Sequence, residues 1–287
     1  MAEVKLAFIG GSGLYNMEAL TDKEERAIKT PFGEPSDKVV IGTLSGHRVA
    51  FIPRHGRGHR YSPSEIPARA NIYALKTLGV ERLVSISAVG SLKEEVRPLD
   101  MLVPDQLIDR TRGFRPSSFF EKGIVAHVGF ADPFCPQLRA SLHATSEKHV
   151  ATHNSGTFVV MEGPQFSTRA ESELYRSWGA SIIGMTALPE AKLAREAEIC
   201  YATLALVTDY DCWRQGEEVV SVELVVANLM KNVANAQKIV QDLVGALPEK
   251  RDCTCGAALE NAIITGREHL SKETRTRLSA IIGKYVK

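Results

Sequence analysis

No apolar run in the 287-residue chain approaches the roughly 20 residues of a membrane-spanning helix, so no membrane partner is expected. Charge of one sign is also missing. Lys and Arg number 35 against 34 Asp and Glu, a net charge of +1, which removes the electrostatic footprint of a nucleic-acid or anionic-lipid binder. The opening MAEVKLAFIGGSG carries an acid early and meets a glycine turn after one short apolar run. It does not read as a secretory signal, and a cytoplasmic location is expected. Cysteine is sparse: Cys135, Cys200, Cys212, Cys253 and Cys255. An odd, scattered set is no secreted disulfide framework. There is no GxSxG elbow, so a serine hydrolase has no support. There is no HExxH, and no metal site is expected. Cys253-x-Cys255 has no second cysteine pair or histidine beside it in sequence, which argues against a closed zinc site. It leaves a redox pair or a bystander thiol pair.

What is present is an ordinary globular profile, 44% hydrophobic and 24% charged, long enough to bury a sizeable core. Nearly continuous apolar runs predict strands at 4–9, 38–44, 48–53, 82–88, 100–104, 156–161, 181–185 and 201–208. Amphipathic spacing predicts helices at 66–78, 136–149, 168–178, 189–198 and 221–246. Thr168 with Glu171 fits a capping box, Gly179 a C-terminal stop, and Pro189 a first helical turn. The alternation predicts a single α/β domain with a central mixed sheet flanked by helices. Composition shifts at Pro248, giving a domain over 1–247 and a C-terminal helical extension, with its Cys-x-Cys, over 248–287.

Five strand ends carry residues that could do chemistry. GGSGLY at 10–15 lets backbone N–H groups approach an anion, and Ser12 adds a hydroxyl. It lacks the third glycine of a dinucleotide fingerprint and the lysine of a triphosphate loop. PRHGRGHRYSP at 53–63 concentrates Arg54, His55, Arg57, His59 and Arg60. It reads as a solvated basic loop or as an anion site, since a guanidinium matches phosphate oxygens. SISAVGSL at 85–92 is a strand entering a glycine turn. MEGPQFSTRAES at 161–172 places Phe166 before a helix, and GMTALPE at 184–190 closes a strand on Met185 and Thr186. VTDYDCW at 207–213 ends a buried strand on two acids, Asp209 and Asp211, where one buried carboxylate is already costly.

These motifs, with RANIYALK and ADPFC, occur in one order along residues 4–247 and resemble the trimeric purine nucleoside phosphorylase family, most nearly its methylthioadenosine branch. The resemblance implies reversible phosphorolysis of a nucleoside with phosphate as co-substrate and no cofactor. It also implies a homotrimer, or a multiple of one, with sites near the subunit interfaces. By that resemblance, Ser12, Arg54, His55, Ser87, the Ala88 backbone and Thr186 hold phosphate. Phe166 stacks near the base, Met185 lies under the ribose, and Val222 and Val225 wall the methylthio group. His127 reaches a neighbouring subunit's site. The periodicity of the long helix by itself makes both valines core.

Relatives acting on 6-oxopurines typically carry Glu after the stacking Phe and Asn at position 209. This chain has Ser167 and Asp209, which suits a 6-amino group and its need for an acceptor. Asp209 is the candidate general acid at purine N7. Asp211 would share the pair's proton or accept from the 6-amino group. Both acids share a face if the strand continues past 209. Gln165 stands where many members carry arginine, and the Cys-x-Cys resembles one that is a disulfide in some thermophilic members. The alternatives left open are a broader adenosine or 6-oxopurine phosphorylase, a non-catalytic nucleoside-binding protein, and, on GGSG alone, a dinucleotide oxidoreductase.

Overall fold

The computed structural model describes residues 4–11, 14, 16–214 and 222–286. The strands are β1 (Leu6–Gly10), β2 (Thr21–Arg26), β3 (Val39–Leu44), β4 (His47–Pro53), β5 (Arg82–Ser91), β6 (Met101–Leu102), β7 (Gln106–Arg110), β8 (Thr152–His153), β9 (Thr157–Met161), β10 (Ile182–Gly184) and β11 (Cys200–Asp209). The helices are α1 (Ala68–Thr77), α2 (Pro136–Ser146), α3 (Arg169–Ser177), α4 (Ala187–Glu196), α5 (Val222–Ala246), α6 (Lys272–Arg277) and α7 (Ser279–Ile282). The strands form one mixed sheet in the order β2-β3-β4-β1-β5-β10-β9-β7, and β11 adds to β5 and carries β6 and β8.

β11 is buried along its whole length. Tyr201, Ala205 and Val207 enter one hydrophobic cluster, and Cys200, Ala202, Leu204 and Leu206 enter the other. Alternating side chains therefore serve two covered faces, which is why the run YATLALV shows no polar alternation. Thr168 and Glu171 do form the capping box that starts α3.

The sequence reading missed β2, β7 and β8. β2 (TDKEER) is exposed and charged, pairing antiparallel with β3 at the sheet edge, with Arg48 and Arg57 reaching its Glu24 and Glu25. Such strands lack the apolar pattern that reveals the others, and their charge discourages pairing with another chain.

The segment after Pro248 is built into the body. Leu259, Leu270, Leu278, Ile281 and Ile282 join the same buried cluster as Ile72 and Leu75 of α1. Glu198, buried just before β11, receives the segment: Lys284 Nζ pairs with it at 2.6 Å, and Tyr285 Oη (2.5 Å) and the Leu259 N–H (3.0 Å) donate to it. The segment also corrects the reading of Cys253-x-Cys255 as isolated from other cysteines. Folding brings Cys135 and Cys200 to it, and the four sulfurs lie within 4.8 Å of one another.

Candidate functional site

β5 changes partners along its length. β1 pairs with it in parallel as far as Ser85, and β10 pairs antiparallel at Gly90 and Ser91. Between them, along Ile86–Val89, that edge has no strand partner among the described residues. Open α/β sheets bind ligands at such switch points. A cavity of about 520 Å³ lies here, lined among others by Arg54, His55, Ser87, Ala88, Phe166, Ser167, Met185, Thr186, Asp209, Asp211 and Val225.

Its floor is polar. The Arg54 N–H donates to the Gly10 carbonyl at 2.9 Å, which fixes the residue where β1 and β4 end together. Its guanidinium is buried and pairs with Glu190: Nε to Oε2 at 2.5 Å and Nη2 to Oε1 at 3.2 Å. Nη2 also donates to Ser85 Oγ and the Ile9 carbonyl, and Nη1 to the Ile86 carbonyl. Burial opposes the charge, but Glu190 outweighs it and holds Arg54 above its usual pKa. The expected fork toward phosphate is thus mostly engaged within the protein. One Nη1 hydrogen is left over.

His55 is pushed down to about 4, chiefly by burial, with Arg54 and His59 adding to the effect. Its Nδ1 lies 2.8 Å from the Tyr61 carbonyl. A neutral ring donating there keeps Nε2 as an acceptor. Ser87 Oγ and Thr186 Oγ1 stand 3.1 Å apart across the floor. Thr186 precedes α4, and its side chain makes no capping bond. Ser12 lies outside the described residues. Arg57 and Arg60 belong to the surface: Arg57 pairs with Glu25 at 2.6 Å, and Arg60 donates to the Ser36 carbonyl.

Asp209 enters the cavity by three coincident devices. A bulge leaves Thr208 unpaired between Val207↔Val89 and Asp209↔Gly90, which re-aims the strand end. Gly90 makes room, since a Cβ there would stand 3.0 Å from Asp209 Oδ1 and 3.3 Å from Asp211 Cβ. Two asparagines one turn apart on α5 take the bulge carbonyls: Asn228 Nδ2 donates to Thr208 O at 2.8 Å, and Asn232 Nδ2 to Val207 O at 3.0 Å. Burial raises the Asp209 carboxyl above the ordinary range, against the Thr208 hydroxyl (2.7 Å to Oδ2) and the Asp211 N–H (2.8 Å to Oδ1).

The expectation that both acids share a strand face is corrected. β11 ends at Asp209, and Asp211 sits at φ 51° in a turn closed by its own N–H on Asp209. The short polar side chain tolerates that conformation. Asp211 still lines the cavity, and burial, with Asp209 adding to it, raises its carboxyl too.

The opposite wall is apolar. Phe166 is 46% exposed and faces the opening. Ser167 accepts from Cys212 Sγ through its carbonyl and directs its hydroxyl to Met161 Sδ. Arg115, nearly buried, pairs with Glu162 at 2.8 Å and donates to the carbonyls of Met185 (2.5 Å), Leu188 (2.8 Å) and Glu162. It thereby ties the Phe166 loop to the Met185 loop. The first turns of α5 add Val225, Val226, Leu229, Met230 and Val233. Val222 stays 64% exposed and off the lining, and His127 is exposed and off it as well.

Sequence reasoning did not find Glu190, Arg115 with Glu162, or Asn228 with Asn232. The two asparagines had a signal, since amides one turn apart beside an apolar helical stripe need buried carbonyls to bind.

A sheet switch point that sets a hydroxyl-lined floor beside two acids and an apolar wall defines an α/β enzyme for a ligand with polar and apolar parts. Residues 5–245 match the Phosphorylase superfamily, and the chain belongs to it. S-methyl-5'-thioadenosine phosphorylase of Koribacter versatilis is 56% identical, covering 99% of this chain and 97% of its own. The enzyme of that name from Geobacter sulfurreducens is 53% identical, over 99% of this chain and 100% of its own. The crystal structure of a methylthioadenosine phosphorylase from an antarctic soil metagenomic library superposes with a TM-score of 0.94 at 53% identity, covering 98% of this chain and 99% of its own. Methylthioadenosine phosphorylase from Schistosoma mansoni, in complex with adenine, gives 0.80 at 37% identity, covering 85% of this chain and 91% of its own.

Proposed function

We propose that the protein catalyses phosphorolysis of S-methyl-5'-thioadenosine to adenine and 5-methylthioribose 1-phosphate, a pentosyl transfer to phosphate in purine and methionine salvage. The observation that carries the reading is a buried carboxyl raised in pKa, Asp209, standing between a hydroxyl-lined floor and an apolar wall in one cavity. Phosphate lies on the floor against Ser87, Thr186, the Ala88 backbone and the remaining Arg54 hydrogen, and its own hydroxyl donates to the acceptor Nε2 of His55. An oxygen of phosphate bonds to C1′ as the C1′–N9 bond breaks and its electron pair moves into the purine. Asp209 gives its proton to N7, so the base leaves neutral and the carboxylate remains to be reprotonated. Thr208 has one hydroxyl hydrogen and two acceptors, Val89 O at 3.1 Å and Asp209 Oδ2. When it donates to Val89, its oxygen is free to accept from the protonated acid.

In this reading Asp211 accepts from the 6-amino group beside Ser167, Phe166 stacks near the base, and Met185 supports the ribose. Val225, Leu229 and Val233 enclose the methylthio group, in place of the wall first expected from Val222 with Val225. Phosphate is a co-substrate, and the reaction uses no cofactor. The protein works in the cytoplasm as a homotrimer or a multiple of one. His127, exposed and off its own cavity, completes a neighbour's site in that assembly. No described helix is long and apolar enough to cross a membrane.

The deciding experiment is phosphorolysis of methylthioadenosine, adenosine, inosine and methylthioinosine under one condition. Adenine release from methylthioadenosine that requires phosphate and exceeds the other three is expected. Preference for inosine would overturn the assignment of Ser167 and Asp209, and no phosphate-dependent release from any of them would leave a binding protein.

A further inference from the structure

The cavity leaves four cysteines unused, and they meet at the opposite end of β11. Cys135 caps α2, its Sγ accepting the Leu138 N–H at 3.5 Å. Cys200 opens β11, and Cys253 precedes and Cys255 lies within the first turn after Pro248. Their sulfurs lie mutually within 4.8 Å, with Cys200 and Cys253 3.3 Å apart. Three of the four are buried and Cys253 is half-buried. Among the described residues, this is the one cluster of three or more His, Cys, Asp or Glu side chains placed to hold a metal ion.

We propose that Cys135, Cys200, Cys253 and Cys255 bind one zinc ion as a tetrathiolate site that fastens the C-terminal segment to α2 and β11. A tetrahedral ion with Zn–S distances of about 2.3 Å holds its four sulfurs about 3.8 Å apart. One separation is 3.3 Å and none exceeds 4.8 Å, so closure needs only small side-chain adjustments. A buried cysteine singly is an ordinary small apolar residue. Four from three distant stretches with converging sulfurs form a complete soft-donor set, which selects zinc over hard cations. Binding releases the thiol protons and leaves a complex of charge −2. The Arg251 guanidinium lies against Cys200 and supplies a countercharge, while the first turn of α2 supplies an N–H to Cys135. The site is structural. The ten residues of β11 put it about 30 Å from Asp209 at about 3.3 Å per residue.

The test begins with metal analysis of the full-length protein, expressed with zinc in the medium and purified anaerobically. About one zinc per chain is expected, released when an organomercurial titrates the thiols. The Cys255→Ser variant should lose the metal and melt roughly 5 °C lower or more, with turnover at 25 °C within about twofold of the parent. Should that variant fail to fold, cobalt replacement in the unaltered protein provides the readout, through thiolate-to-cobalt charge-transfer bands with tetrahedral d–d absorption. Absence of metal with hydrogens missing from the intact mass, the mark of disulfides, would overturn the proposal. So would four freely alkylated thiols with no cobalt spectrum. Phosphorolysis of any substrate leaves this test unaffected.

Discussion

Asp209 is defined less by its own identity than by what is missing next to it. Gly90 has no Cβ to displace Oδ1, and the Thr208 bulge turns the carboxyl toward the cavity. Asn at 209 keeps an oxygen for the Asp211 N–H but has no acidic proton. Asp209→Asn should therefore lower kcat on adenine nucleosides by ~10²–10⁴-fold, while the melting temperature stays within a few degrees of the parent. Steady-state rates and thermal unfolding of the same preparation check both halves, and an unchanged rate would refute the acid's role. VTDYDCW made the acids legible, because two carboxyls at the end of an apolar run demand an explanation. The bulge was not legible, since it depends on the register with β5. Arg54 was legible as a cation at a strand end, but its buried partner Glu190 lies 136 residues away.

At the scale of elements, α5 divides in two. Its second half buries Ala236, Ile239, Val240, Leu243 and Val244, as its apolar spacing implies. Its first half uses the same periodicity to wall a cavity, and periodicity cannot distinguish a core from a pocket lining. Asn228 and Asn232 set the register between the helix and the β11 bulge. Asn232→Ala takes one of two donors from the Val207 carbonyl, which keeps the Leu99 N–H at 2.9 Å, a loss of ~1 kcal/mol of stability. The same change should raise KM for the nucleoside more than KM for phosphate, because the wall shifts while the floor does not. Denaturant melts and the two KM values test this, and equal changes in both would deny the helix its positioning role. The long buried strands and the capped helices were visible in sequence. The charged edge strand β2 was not, because its pairing comes from β3 and not from its own side chains.

At the scale of the whole molecule, two buried groups give stability opposite dependences on pH. Burial lifts Glu196 to about 7, against bonds from the Ser118 hydroxyl and the Phe119 N–H. The folded state then binds more protons than the unfolded between 4.5 and about 7, so stability falls as pH rises through that window. His55, held at about 4 against 6.5, acts oppositely, and its contribution rises with pH between those values. Above 6.5 only the Glu196 effect persists. The melting temperature should fall between pH 6.5 and 8, and Glu196→Gln should flatten that fall; a slope that survives the substitution would assign it elsewhere. The C-terminal segment has a different consequence, one of timing. α1 packs on α7, and Leu278, Ile281 and Ile282 finish the cluster that Ile72 and Leu75 begin. Roughly 200 residues of chain separate them, and so non-local a closure is slow. On the ribosome, the first half emerges with an apolar helix face that its partner cannot yet cover. Completion waits until synthesis has passed residue 282, so chaperone demand should track translation speed over the codons for residues 248–282.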